Sequence, residues 1–222
     1  MEVKVMRNVL EMNDAVAAKN EALFRSRRVF VLNLMGSPGS GKTSLLEYTL
    51  EALKDEMRLA VIEGDLFTTK DAERIERHGV PVIQINTAGG CHLDAPMVEE
   101  ALASLDLDAL DLLVIENVGN LVCPAEFELG QDRKAVVLSI TEGDDKPLKY
   151  PLMFKEADIA LLNKIDLLPY TDFNMESAVG DIRTIHPGIE VMAIACRTGE
   201  GLPAWLSWLR KNVRERRRRL DE

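Results

Sequence analysis

Cysteine is scarce in this chain: 222 residues contain three, Cys91, Cys123 and Cys196. Thiols so few and so scattered exclude a disulfide framework. No apolar run approaches the ~18 residues that a membrane span needs. The opening Met1-Glu2-Val3-Lys4-Val5 also lacks the hydrophobic core of a signal peptide. These absences predict a cytoplasmic protein with no membrane partner. Positive charge is short as well, 27 Lys and Arg against 37 Asp and Glu, for a net charge of −10. That balance excludes a general nucleic-acid binder, because phosphate backbones are held by clustered cations. The only basic run, from Arg214 to Arg219, continues an amphipathic pattern through Trp205, Leu206, Leu209 and Val213. It is read as a solvated last helical turn.

Repeats, low-complexity blocks and Pro/Gly/Ser linkers are missing too, so one compact domain is expected over residues 1–222. Hydrophobic residues make up 46% and charged residues 29%, which suits a folded core. Residues 6–24 carry apolar positions near helical spacing and predict an N-terminal helix. Its apolar face either meets a partner or packs on the body of the domain. Val29 to Met35 is a β-rich apolar run closed by Gly36, the pattern of a buried strand.

Strand candidates then follow at 58–63, 81–85, 111–115, 134–140, 157–162 and 189–194. Helix candidates alternate with them at 42–55, 70–78, 95–105, 174–185 and 202–219, and Asp94 is placed to cap the third. Such alternation predicts an α/β fold, a mostly parallel seven-stranded sheet with helices on both faces. Ligands bind such sheets at the carboxyl ends of the strands.

Gly36-Ser37-Pro38-Gly39-Ser40-Gly41-Lys42-Thr43 matches the phosphate-binding P-loop in full, after a strand and before a helix. Its glycines let backbone N–H groups turn toward the phosphates, with Ser44 continuing into the helix. Lys42 is expected to reach the β- and γ-phosphates, and the Thr43 hydroxyl to ligate Mg²⁺. Far downstream, Asn163-Lys164-Ile165-Asp166 follows another apolar strand and resembles the guanine-recognition tetrad of P-loop GTPases. A carboxylate at Asp166 can accept from both N1–H and the 2-amino group of guanine, a donor pair adenine lacks. Asn163 would brace the loop and Lys164 would lie along the base. Ala195-Cys196-Arg197 resembles the loop that closes over the base in the same superfamily, with only a backbone role implied.

Asp65, at the end of the second strand, either supports Mg²⁺ and the attacking water or caps the helix at 70. Glu116-Asn117-Val118-Gly119 resembles the D-x-x-G switch segment with Glu in place of Asp. In that reading Glu116 supports Mg²⁺ and the Gly119 N–H senses the γ-phosphate. Asn120 stands where many GTPases have Gln, and no arginine finger is evident, so slow turnover is expected.

Cys91 and His92 precede the helix at 95, and Cys123 lies just past Gly119. Two thiolates and an imidazole suit Zn²⁺ or Ni²⁺, with a fourth position left for water or a two-fold-related subunit. The alternatives are that the cysteines are small buried residues and that His92 caps the helix. Cys196, in the base loop, is not assigned to metal, and His78 and His186 are read as surface residues without partners.

With these motifs the chain resembles the HypB family, GTPases that supply nickel during [NiFe]-hydrogenase maturation. The resemblance rests on the P-loop, on Glu63-Gly64-Asp65, on Thr87 to Asp94, on Glu116 to Pro124 and on Asn163 to Asp166. It implies the SIMIBI branch of P-loop GTPases, a homodimer favoured by GTP, and Ni²⁺ or Zn²⁺ at Cys91, His92 and Cys123. Implied partners are a HypA-type nickel/zinc accessory protein and the hydrogenase large-subunit precursor. The N-terminal C-x-x-C-G-C motif and His-rich stretch of many members are not in this sequence. Rival readings are a urease-maturation GTPase, a chaperone of a cobalamin-dependent mutase, a GTP-sensing regulatory module and a P-loop kinase. Ala125 after Cys123-Pro124 counts against the urease type, which has Cys-Pro-His.

Overall fold

The computed structural model describes residues 9–66 and 70–218. The helix α1 (Val9–Arg27) leads into β1 (Phe30–Gly36), and α2 (Lys42–Leu53), β2 (Leu59–Asp65), α3 (Lys70–Glu76) and β3 (Val82–Asn86) follow. Next come α4 (Ala95–Leu102), β4 (Leu112–Glu116), α5 (Cys123–Glu126) and β5 (Arg133–Ser139). The chain continues through α6 (Lys146–Lys149), α7 (Pro151–Glu156), β6 (Ile159–Asn163), α8 (Met175–Ile185), β7 (Glu190–Ala193) and α9 (Leu202–Arg218).

The strands form one seven-stranded sheet in the order β3-β2-β4-β1-β5-β6-β7, and every pairing is parallel. Side chains alternate across it, so each central strand feeds both faces. Leu32 and Leu34 of β1 join Val114, Val137 and Leu161 under α2 and α9. Val31, Leu113 and Ile62 point the other way and meet Phe24 of α1 and Val98 of α4. On the same far face, Met35, Val136 and Leu162 pack against Phe154 of α7 and Ile182 of α8. Because all strands run the same way, the loops after β1, β2, β3, β4 and β6 open at one edge. The order reverses beside β1 and β4, and that reversal opens the crevice where such sheets bind ligands.

All the predicted strands and helices exist, most with one or both ends shifted by a few residues, and residue 219 of the last helix lies outside the described residues. Three short helices went unpredicted: α5, α6 and α7, each of six residues or fewer and too brief to show a period. The N-terminal helix runs on to Arg27, while residues 6–8 of its predicted span lie outside the described residues. Its buried side chains are Asn13, Ala17, Asn20 and Phe24, so this stripe packs on the body, while Val9 of the predicted apolar face is exposed.

The basic tail is exposed at Arg214, Arg217 and Arg218, as expected, and Arg219 lies outside the described residues. Arg216 pairs with Asp132 at 3.1 Å and Arg217 pairs with Asp111, because both acids sit at the amino ends of strands where α9 passes. Arg216, half-buried, and Arg217 therefore also anchor α9 to the sheet. No helix among the described residues is long and apolar enough to cross a membrane.

Candidate functional site

A cavity of about 400 Å³ opens at the carboxyl edge, lined by Pro38, Gly39, Lys42, Thr43, Asp65 and Gly119 among others. The loop from Gly36 to Gly41 turns tightly around it. A Cβ on Gly41, where φ is 99°, would lie 2.3 Å from the Asn163 amide nitrogen, so only glycine fits there. Lys42 is buried, and its ammonium folds back to donate to Gly36 O at 3.2 Å and Ser37 O at 3.3 Å. Burial lowers its pKa and the Glu116 carboxylate opposes that shift. Ser37 donates to Glu142, which also caps the turn at Ile140–Glu142.

The Thr43 hydroxyl donates to Glu116 Oε1 at 2.8 Å. Glu116 pairs in register with Glu63 across β4 and β2. Glu116 Oε2 and Glu63 Oε2 are buried with no hydrogen-bond partner among the described residues. Desolvation raises Glu116 to about 7, and desolvation followed by Glu116 repulsion raises Glu63 to about 8. Under-satisfied carboxylates beside a threonine hydroxyl are a hard-oxygen donor set, and they fit Mg²⁺. Asp65 lines the same cavity and accepts from Leu66 N–H at 2.6 Å. Its alternative role, capping the helix at 70, falls on a connection that crosses undescribed residues.

Glu63 gives the nucleotide-free protein a pH signature. In the unfolded chain this carboxyl titrates near the ordinary 4.5, and in the fold at about 8. The native state therefore holds a proton that the unfolded state has released, and stability falls as pH rises through that window. Thermal melts of nucleotide-free protein from about pH 5 to 9 are expected to show this fall. Glu63→Gln should make the fall shallower, leaving the part that Glu116, also raised by burial, contributes, and an unchanged slope would assign the effect elsewhere.

Beside the loop from Gly36 to Gly41 lies a second cavity of about 320 Å³, lined by Ser44, Asn163, Lys164, Asp166, Cys196 and Arg197. The Asn163 side chain donates to Ser40 O at 2.9 Å and accepts from Lys164 N–H and Cys196 N–H. One amide thus ties together the phosphate loop, its own loop and the loop after β7. Lys164 adopts φ of 66° and its ammonium reaches Gly39 O at 2.6 Å. Ala195 is buried and closes a small bridge with Glu200. Burial pushes the Cys196 thiol up to about 11, which keeps it protonated and unreactive.

The loop after β3 and the segment after β4 bring three soft ligands together. Cys91 Sγ lies 2.9 Å from Cys123 Sγ and 3.6 Å from His92 Nδ1, and the three ligand atoms lie within 4.8 Å of one another. Cys91 is exposed, and Asp94, rather than His92, caps α4 by accepting from Met97 N–H at 2.9 Å. Burial lowers the His92 pKa, favouring the neutral ligand form. The hydrogen bond with Cys91, then burial, raises the Cys123 thiol. The Phe127 ring packs on His92 with centroids 3.8 Å apart. Buried Lys134 donates to Ala125 O and to Glu128, pinning α5 to the sheet.

Asparagines join this cluster to the phosphate loop. Asn120 N–H donates to Gly36 O at 3.0 Å, and its side chain donates to Cys91 O at 3.3 Å. Asn117 accepts from Leu93 N–H at 3.0 Å and donates to Asn33 on β1.

Residues 30–193 match the family model described as CobW/HypB/UreG, nucleotide-binding domain. The hydrogenase maturation factor HypB of Azotobacter vinelandii is 54% identical over 99% of this chain and 73% of its own length. That of Escherichia coli K12 is 53% identical over 94% of this chain and 71% of its own. The chain belongs to the HypB family. A crystal structure of HypB from Helicobacter pylori in complex with nickel has a TM-score of 0.87 and 39% identity. The match covers 92% of this chain and 96% of that one.

Sequence reasoning missed several residues that the HypB fold gathers at this edge. Arg74 of α3 lines the phosphate cavity and pairs with Glu47 and Asp71, an arginine that no motif marks. Phe127 likewise carried no local signal, and Asn117, inside the switch segment, was given no role of its own. His78 is not partnerless: its Nδ1 lies 3.0 Å from Glu51 Oε2. His186 is half-buried, with Nδ1 enclosed.

Proposed function

We propose that this protein is a GTP-binding, slowly GTP-hydrolysing metallochaperone that carries nickel for the [NiFe]-hydrogenase large-subunit precursor. The chain then forms one GTPase domain over residues 1–222, with α1 as its N-terminal helix. The observation that carries the reading is the shared hydrogen-bonding of two sites by one segment. Asn120 touches the phosphate loop at Gly36 and the metal cluster at Cys91. A change at the γ-phosphate that moves Gly119 also moves the backbone leading to Cys123.

In this reading the loop from Gly36 to Ser44 wraps the phosphates of GTP or GDP, and Lys42 turns its ammonium from Gly36 O and Ser37 O toward them. Thr43, Asp65 and Glu116 would hold Mg²⁺, which supplies positive charge against the phosphate oxygens. Gly119 N–H reads the γ-phosphate, and Asp65 also orients the attacking water. Asp166 selects guanine, with Asn163 and Lys164 holding its loop and Ala195, Cys196 and Arg197 closing over the base. Ni²⁺, or Zn²⁺ in its place, is the cargo of Cys91, His92 and Cys123. A partner subunit in a GTP-bound homodimer completes its coordination, and a HypA-type accessory protein shares the cargo in the cytoplasm.

The test is Ni²⁺ competition titration in GDP and in a non-hydrolysable GTP analogue, with oligomeric state followed in parallel. Different affinities in the two states are expected, and by linkage metal must then shift nucleotide affinity by the same factor. Equal affinities would overturn the switch. Hydrolysis is expected well below about one per second. A rate on the order of tens per second would mark a metabolic enzyme instead.

A further inference from the structure

We infer that Asn13 and Asn20 of α1 are positioning residues for the metal cluster, setting the spacing of its two ligand-bearing segments. Asn13, Ala17, Asn20 and Phe24 form the buried stripe of α1, at helical spacing where apolar side chains would satisfy packing. Asn13 and Asn20 are only 3% and 1% exposed. Buried amides are tolerated when hydrogen-bonded, and the partners of these two are informative.

Asn13 Oδ1 accepts from Ala95 N–H at 2.8 Å, while its Nδ2 donates to Glu128 O at 2.9 Å. The Nδ2 of Asn20 donates to Ala95 O at 3.0 Å and to Leu129 O at 3.2 Å. Each side chain therefore grips both segments. Ala95 opens α4 just past His92, and its N–H is among the donors left without partners at a helix start. Glu128 and Leu129 follow Phe127, the residue packed on His92, in the run that begins with Cys123. The backbone of α1 comes close as well: a Cβ on Gly130, where φ is 91°, would lie 2.7 Å from Ala17 O. Two amides thus fix the separation of the His92 side from the Cys123 side, away from the ligands themselves. Partners of this kind orient ligands and tune metal affinity.

This inference rests on Cys91, His92 and Cys123 being the metal site, and the experiment tells the two failures apart. Full-length protein in GDP is titrated with Ni²⁺ and with Co²⁺, whose visible and thiolate charge-transfer bands report ligand geometry. Wild type is compared with Asn13→Ala, Asn20→Ala and Phe24→Leu, the last loosening α1 without touching the four hydrogen bonds. Asn13→Ser, too short to reach both partners, carries the same expectation if alanine prevents folding. The asparagine variants are expected to bind metal about tenfold more weakly, with shifted Co²⁺ bands and unchanged GDP affinity. Phe24→Leu is expected to lower the melting temperature and leave the bands in place. Wild-type affinity and spectra in the asparagine variants, or the same changes in Phe24→Leu, would overturn the positioning role. Wild-type binding indifferent to Cys91 and Cys123 would overturn the site assignment, and this inference with it.

Discussion

Asp166→Asn is expected to turn base preference from guanine to xanthine. The carboxylate lines the 320 Å³ cavity beside the phosphate loop and can accept both donors of the guanine edge. Asparagine offers one acceptor and one donor, leaving the 2-amino group facing an N–H. Xanthine has a carbonyl at that carbon and accepts what asparagine donates. Two hydrogen bonds to a charged group are worth roughly 3–6 kcal/mol together, so GTP affinity should fall roughly 10²–10⁴-fold. Direct titration of wild type and variant with fluorescent GTP and with fluorescent xanthosine triphosphate reads both effects. GTP binding at wild-type strength in the variant would mean that Asp166 does not read the base.

Cys91→Ala and Cys123→Ala are each expected to remove most metal affinity. Structural zinc sites with four ligands hold their ion by ~10–16 kcal/mol near neutral pH, so one thiolate accounts for about 3 kcal/mol. Its loss should weaken Ni²⁺ or Zn²⁺ binding about 10²-fold. Among the described residues the cluster consists of Cys91, His92 and Cys123 alone, so neither thiol has a substitute there. Cys196→Ala is the control, because that thiol lies in the base cavity with its pKa raised by burial. Metal binding that survives loss of both Cys91 and Cys123 would move the cargo site elsewhere.

The parts of the fold that were legible in sequence are those whose cause is local. The P-loop is contiguous, so Gly36 to Thr43 announces strand, turn and helix start together. Asp94 before Pro96 is a cap written within a few residues, and the structure keeps it. Runs such as Val29 to Met35 are apolar on both faces because the sheet is covered on both faces. The meeting of Cys91 and Cys123 was harder to read and followed from topology. Both segments leave strands of one parallel sheet at the same edge. What stayed hidden depends on distant partners. Arg74 sits at the phosphate cavity because α3 packs beside α2. Arg216 and Arg217 find acids at the far edge of the sheet, and a charge run in sequence does not reveal them. Asn13 and Asn20 interrupt an apolar stripe, and only the loops they bond explain why.

Glu63 and Glu116 sit rung to rung on neighbouring strands, both buried and both under-satisfied. Two acids confined there make the nucleotide-free protein the weakest form of itself. Nucleotide and its cation, binding only the folded chain, add stability in proportion to the logarithm of their concentration. Occupancy then governs how often the chain opens far enough for a protease to cut it. A cell short of guanine nucleotide would lose this protein by degradation as well as by idleness. Its abundance, and with it the capacity to carry metal, would track the size of the guanine-nucleotide pool without any dedicated regulator.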